Sequence, residues 1–286
     1  MSDTLNVSVI GAGTMGNGIA QVFADFGHNV TLIDLSQDSL DRGVAAIAKS
    51  LARFVKKEKK TQEEVDQILA RIGTATDTAA GVANADLVVE AVFENEQVKM
   101  DIFRTLDEAA PAHAVLASNT SSISITKIAN ATKRPEQVIG MHFMNPVPLM
   151  KLVEIIKGER TSDATLEKTI AWSEGLGKVV GIAEDYPGFI ANRILMPMIN
   201  EAAFALMEGV GTRESIDTVM KFGCNFPMGP LTLADFIGLD ICVNILDVLH
   251  EGLGDPKYRC CPLLRRMVEA GKLGVKSGEG FYSYGD

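Results

Sequence analysis

The sequence predicts an α/β protein in two parts: a mostly parallel sheet domain with a helical arm, then an all-α domain. Three observations carry this. Short apolar runs alternate with helical patterns over the first part of the chain. A glycine-rich turn directly follows the first of those runs. The alternation stops after Glu184, and only helical patterns follow.

Leu5–Ile10 reads as a buried strand, Thr14–Gly27 as a helix and Asn29–Asp34 as a second strand, which together make one βαβ unit with a right-handed crossover. Leu40–Lys60 is an amphipathic helix ending in the basic run Lys56, Lys57, Lys59 and Lys60. A second helix follows, with Thr61 as N-cap and Glu64 completing a capping box. This helix pair exceeds what a plain crossover needs and is expected to form an arm off the sheet. Further strands are expected at Asp86–Val92 and Ala114–Ser118. Val138–Phe143 and Lys151–Ile156 are joined by a short segment holding Pro146 and Pro148, which suits antiparallel pairing. Asp163–Gly175 is a helix leading into the strand Lys178–Ala183. The all-α part begins with a long helix, Gly188–Glu208, in which Pro197 is expected to make a kink. Helical patterns at Arg213–Phe222, Leu231–Leu249 and Pro262–Ala270 complete it. The domains are therefore set at 1–185 and 186–286.

The length, 286 residues, suits one large domain or two. With 47% hydrophobic and 22% charged residues the chain is an ordinary globular one. Its net charge of −10 disfavours nucleic acid as a general partner, so an anionic ligand needs a local basic patch. No apolar run approaches the roughly 20 residues of a membrane helix. The apolar stretch Val7–Ile10 starts too early to leave room for a signal peptide. Four cysteines without metal or redox spacing fit reduced thiols and a cytoplasmic location.

Gly11, Ala12, Gly13, Thr14, Met15 and Gly16 fit GxGxxG between a strand and a helix, the setting in which that string reports a dinucleotide site. The first glycine permits the tight turn. The second lets a pyrophosphate approach the backbone, and the third lets helix and strand pack closely. Asp34 closes the second strand, placed to accept hydrogen bonds from a ribose and to repel a 2′-phosphate. No arginine occupies positions 35 to 41. The first domain is accordingly Rossmann-type, and its cofactor is NAD rather than NADP.

Oxidation of an alcohol by NAD needs a base for the hydroxyl proton. Of His28, His113, His142 and His250, the first and second are expected in solvent and the last near a helix end. His142 ends an apolar strand. If the strands on either side of Pro148 pair as a hairpin, Glu154 lies across from His142 on the same face. Glu154 stands among Leu152, Val153, Ile155 and Ile156, where an unpaired carboxylate would be costly. The pair reads either as a base with its orienting acid or as a structural hydrogen bond. Ser121, in the turn after the fourth strand read above, suits either a ligand oxygen or an N-cap. Asn192, within an apolar helix pattern, needs polar partners from ligand or backbone.

At these residues the sequence resembles the short-chain 3-hydroxyacyl-CoA dehydrogenases, most closely their stand-alone bacterial members acting on 3-hydroxybutyryl-CoA. The likeness runs through GAGTMG at 11–16, VVEAVFEN at 88–95, SNTSSISIT at 118–126, GMHFMNPVPLMKLVEII at 140–156, PGFIANRIL at 187–195, PMGPLTLADFIGLD at 227–240 and GVKSGEGFYSY at 274–284. It implies His142 as general base, Glu154 as its orienting acid, and Ser121 and Asn192 as holders of the acyl substrate. Glu94, Lys99, Ser121, Asn145 and Lys276 match positions near NAD. The arm implies coenzyme A contacts around Lys49, Arg53, Lys56 and Lys57, where a solvated basic face is the competing reading. A homodimer through the helical domain is also implied. The substrate is then an acyl-CoA thioester, whose C3 hydroxyl loses its proton to His142 as hydride passes to the nicotinamide. Two other readings remain: a dehydrogenase of a free hydroxy or sugar acid, and a non-catalytic NAD-binding protein.

Overall fold

The structure is a computed structural model that describes residues 4–285. Its contacts divide the chain into two compact units, one ending at Tyr186 and the other beginning at Pro187.

In the first unit the described residues form an eight-stranded sheet in the order β3-β2-β1-β4-β5-β6-β7-β8. The strands are β1 (Asn6–Ile10), β2 (Asn29–Ile33), β3 (Ile72–Ala75), β4 (Leu87–Glu90), β5 (Val115–Ser118), β6 (Val138–Phe143), β7 (Leu152–Lys157) and β8 (Val179–Glu184). All neighbours are parallel except β6 and β7. Strands β4 and β5 are buried at every position, which is why the first three residues of each are an unbroken apolar run, with Glu90 and Ser118 as the buried polar ends. The helices are α1 (Thr14–Asp25), α2 (Gln37–Lys56), α3 (Gln62–Ala70), α4 (Thr78–Val82), α5 (Glu96–Ala109), α6 (Ile125–Ala129) and α7 (Asp163–Gly175).

The arm is α2 and α3, and it is rooted on α1: Leu40, Ile47 and Leu51 are fully buried in the same core as Val9, Ile19 and Phe23. Thr61 makes the capping box with Glu64, as its spacing requires. Lys49, Arg53, Lys56 and Lys57 form an exposed stripe at helical spacing on α2 and its C-cap.

Two expectations in this unit need correction. Strand β3 was not foreseen. Ile72-Gly73-Thr74-Ala75 has no apolar run, and it is held as a sheet edge by its backbone pairing with β2. His28 is not in solvent: it is 5% exposed, its Nδ1 accepts from Leu5 N–H at 3.2 Å, and burial lowers its pKa. The turn before β2 pairs with Leu5, the buried residue just before β1, whose N–H needs an acceptor. His113, by contrast, is 65% exposed.

The second unit comprises α8 (Ala191–Met207), α9 (Arg213–Thr218), α10 (Pro230–Ile237), α11 (Leu239–Leu253) and α12 (Pro262–Glu269). Met196, Ile199, Leu231, Leu239, Leu246 and Leu264 are central to its core. Pro197 lies inside the continuous helix α8. The pattern read as one helix over Leu231–Leu249 is two, split at Gly238, whose φ of +105° no helix accommodates. The stretch read as a helix over Arg213–Phe222 changes to a π-helical turn at Val219–Gly223. The last segment is clamped by two carboxylates. Asp235 accepts from the N–H groups of Phe281 and Tyr282 and from Tyr284 OH, and Asp217 accepts from Tyr282 OH.

Candidate active site

The parallel strands β1, β4, β5 and β6 have their carboxyl ends on the same side of the sheet, and the glycine-rich turn, the segment holding Glu94 and the turn holding Ser121 follow β1, β4 and β5. After β1, Gly11 has φ +98°, and a Cβ there would lie 2.6 Å from the Ala91 carbonyl oxygen. A Cβ on Gly16 would lie 1.7 Å from the Gly11 oxygen. A Cβ on Gly13 would meet nothing within 4 Å, so this face of the turn is open to a ligand. Helix α1 starts there with no side-chain cap and no acid in its first turn, leaving its N–H groups and positive dipole end for a phosphate.

Asp34, one residue past β2, accepts from Ala12 N–H at 2.9 Å and from Ser36 N–H at 3.3 Å. It lines a cleft of about 370 Å³ with Ala12, Gly13, Thr14, Ser39 and Arg42. It also borders an apolar slot of about 580 Å³ between Ile33, Leu35, Val92, Phe93 and Ile102. A bare phosphate-binding turn, a ribose-height carboxylate and a slot for a flat apolar ring fit NAD. Arg42 was missed because it lies a helical turn inside α2, beyond the residues adjoining Asp34. Its guanidinium donates to Ser39 Oγ at 3.0 Å.

After β4 and β5 the site is polar. Glu94 Oε1 accepts from Thr120 Oγ1 at 2.5 Å, Ser121 N–H at 2.9 Å and Ser122 N–H at 3.1 Å. Burial raises the Glu94 pKa, but the Lys99 ammonium and these hydrogen bonds outweigh it, so the carboxyl lies below its ordinary range. Lys99 is 1% exposed and pairs with Glu90 at 2.6 Å and Glu94 at 3.4 Å. Glu90 was not anticipated, although a carboxylate ending the apolar run Leu87-Val88-Val89 was its signal. Asn119 Oδ1 accepts from Phe143 N–H at 2.9 Å, tying this turn to the end of β6.

His142 and Glu154 pair directly across β6 and β7, and Nδ1 lies 3.0 Å from Glu154 Oε2. Their side chains are 10% and 3% exposed. A buried carboxylate accepting from Nδ1–H fixes the tautomer with Nε2 as the basic nitrogen. The loop joining these strands is held by Lys178, whose Nζ donates to the Val147 and Met150 carbonyls at 2.7 Å each. Asn145 lies exposed at the start of that loop. In the second unit Asn192 is buried at the start of α8, and Lys276 pairs with Asp240.

A glycine-rich turn open on one face, a carboxylate just past β2 and a buried histidine–carboxylate pair across β6 and β7 fit one class: a Rossmann-type, NAD-dependent oxidoreductase. Residues 6–186 match the family model for the 3-hydroxyacyl-CoA dehydrogenase NAD binding domain, and residues 188–284 match that for the C-terminal domain. The chain is 55% identical to 3-hydroxybutyryl-CoA dehydrogenase of Bradyrhizobium diazoefficiens, covering 97% of this chain and 94% of that one. It is 46% identical to the mitochondrial hydroxyacyl-coenzyme A dehydrogenase of Homo sapiens, covering 98% and 91%. A crystal structure of (S)-3-hydroxybutyryl-CoA dehydrogenase from Ralstonia eutropha superposes with a TM-score of 0.96 at 48% identity, covering 99% of this chain and all of that one. The chain belongs to the 3-hydroxyacyl-CoA dehydrogenase family and is an NAD-dependent oxidoreductase acting on CH–OH.

Proposed function

We propose that the enzyme interconverts (S)-3-hydroxybutyryl-CoA and acetoacetyl-CoA, with His142 as general base and Glu154 as its orienting acid. The observation that carries the reading is the buried His142–Glu154 hydrogen bond beyond the carboxyl end of β5. NAD, when bound, supplies the hydride acceptor. His142 Nε2 takes the proton of the C3 hydroxyl, so the carbon–oxygen bond becomes a carbonyl as hydride leaves C3. Glu154 stabilises the imidazolium that results. In the reverse direction the imidazolium returns the proton to the carbonyl oxygen. Ser121 of the first unit and, separately, Asn192 of the second are the residues proposed for the substrate. Glu94 and Lys99 fix the turn beside the cofactor, while Asn145 and Lys276 are further cofactor residues.

The exposed stripe of Lys49, Arg53, Lys56 and Lys57 supports coenzyme A binding, since a trianionic ligand approaching an acidic protein needs local positive charge. A free hydroxy acid has no use for such a stripe. A homodimer through the helical domain is supported by exposed Ile194, Val219, Phe222 and Phe236 on that unit. Reduced cysteines support a cytoplasmic location. Among the described residues no helix is long and apolar enough to cross a membrane.

The test is NADH consumption with acetoacetyl-CoA, longer 3-ketoacyl-CoAs and free acetoacetate in parallel. Turnover of the four-carbon thioester, with little of the free acid, is the expected result. Preference for the free acid overturns the substrate reading, and NADH binding without turnover of any of them overturns the catalytic one.

A further inference from the structure

We propose that Glu90 is a positioning residue for the reaction, acting through Ser118 and Lys99 to fix the turn that carries Ser121. The proposal rests on the reading of Ser121 as a substrate-holding residue.

Glu90 ends β4 and is fully buried. Its Oε1 accepts from Lys99 Nζ at 2.6 Å and from Val92 N–H at 2.8 Å, and its Oε2 accepts from Ser118 Oγ at 2.6 Å. Two routes lead from it to the same turn. Ser118 Oγ accepts from Thr120 N–H at 3.2 Å, which fixes the start of the turn. Lys99, buried beside Glu90, stands 3.4 Å from Glu94 Oε2, and Glu94 gathers Thr120, Ser121 and Ser122 from the other side. Glu90 is the shared root of both routes.

The cluster holds two carboxylates and one ammonium, a formal charge of about −1. A buried ion pair is weak evidence for stability, because apolar residues of the same shape often serve as well. Apolar residues could not hold Ser118 Oγ in place or keep an ammonium against Glu94. Both links serve the geometry of a turn that follows β5 and is tied through Asn119 to Phe143, the neighbour of His142, and small misplacement there is expensive in rate.

The test compares Glu90→Gln, Lys99→Met, the double variant of these two, and Ser121→Ala in the full-length enzyme. Readouts are kcat, KM for acetoacetyl-CoA, the NADH dissociation constant, Tm, and kcat/KM from pH 5 to 9. Glu90→Gln is expected to lower kcat about 10- to 100-fold while NADH affinity changes less than about threefold. Lys99→Met leaves two adjacent acids uncompensated and should move the acid limb of kcat/KM to higher pH. Adding Glu90→Gln to it removes one of those acids and should return the limb without recovering kcat, because both routes to the turn are then weakened.

Wild-type kcat and KM in Glu90→Gln, whether or not Tm falls, mark a structural ion pair and overturn the proposal. A double variant whose kcat recovers toward wild type marks charge balance alone and also overturns it. Should Lys99→Met fail to fold, Glu90→Gln decides alone. Wild-type behaviour of Ser121→Ala overturns the Ser121 reading and this proposal together, whereas an impaired Ser121→Ala beside a normal Glu90→Gln removes the proposal only.

Discussion

His142 and Glu154, 12 residues apart, stand opposite each other in the one antiparallel pairing among the described strands of the sheet, joined at 3.0 Å through Nδ1. The antiparallel register, rather than sequence proximity, sets this contact. A one-residue slip would turn both side chains to the other face. His142→Ala should lower turnover about 10²- to 10⁴-fold with NADH affinity nearly unchanged. Glu154→Gln should lower turnover far more than it weakens NAD binding. Steady-state kinetics beside NADH titration checks both, and equal losses in the Glu154 variant would make the pair structural.

Asp34 has two jobs in the structure. Its carboxylate secures the glycine-rich turn through Ala12 N–H and lines the cleft beside Gly13 and Arg42. Asp34→Ala should cost about 1.5–3 kcal/mol of NADH binding. Discrimination against NADPH should shrink as well, because Arg42 remains while the repelling charge is gone. Calorimetric titration with both nucleotides measures this. Undiminished NADH affinity removes Asp34 from the site.

Glu94 links stability to pH. Its folded pKa lies below the ordinary carboxylate value despite burial, because Lys99 and the 120–122 turn favour the charged form. A depressed folded pKa contributes stability that is fully present above the unfolded value of about 4.5 and lost as pH falls through the folded one. The Tm difference between the native enzyme and Glu94→Gln should be constant above about pH 5 and close at lower pH. A gap that persists unchanged to pH 3 contradicts the assignment.

The basic stripe on α2 makes a prediction that depends on the substrate's tail. Reversing Arg53 and Lys56 to glutamate should raise KM for acetoacetyl-CoA roughly 5- to 20-fold at low salt. The effect should fade at high ionic strength. A truncated thioester without the nucleotide phosphates should show no change. Equal effects on both substrates would return the stripe to a solvated helix face.

Much of the fold was legible because local signals agreed with the tertiary outcome. Strands buried on both faces are rich in apolar residues without alternation, so β1, β4 and β5 announced themselves despite the buried Ser8, Glu90 and Ser118. Edge strand β3 carries no such run and is held by pairing alone. The break between α10 and α11 depends on Gly238 adopting positive φ, which a glycine permits but does not require.

The sequence by itself determined the glycine-rich turn, the acid after β2, the basic stripe and the 12-residue spacing of His142 and Glu154, because each depends on neighbours within one strand–turn–strand or helix unit. Only the tertiary structure decided that Lys99 is buried between Glu90 and Glu94, that Arg42 shares a cleft with Asp34, and that His28 is an acceptor rather than a solvated ring. Those contacts join side chains from separate elements. A polar residue's choice between water and a buried partner is settled by which elements pack beside it, and a single chain read in order does not contain that distance.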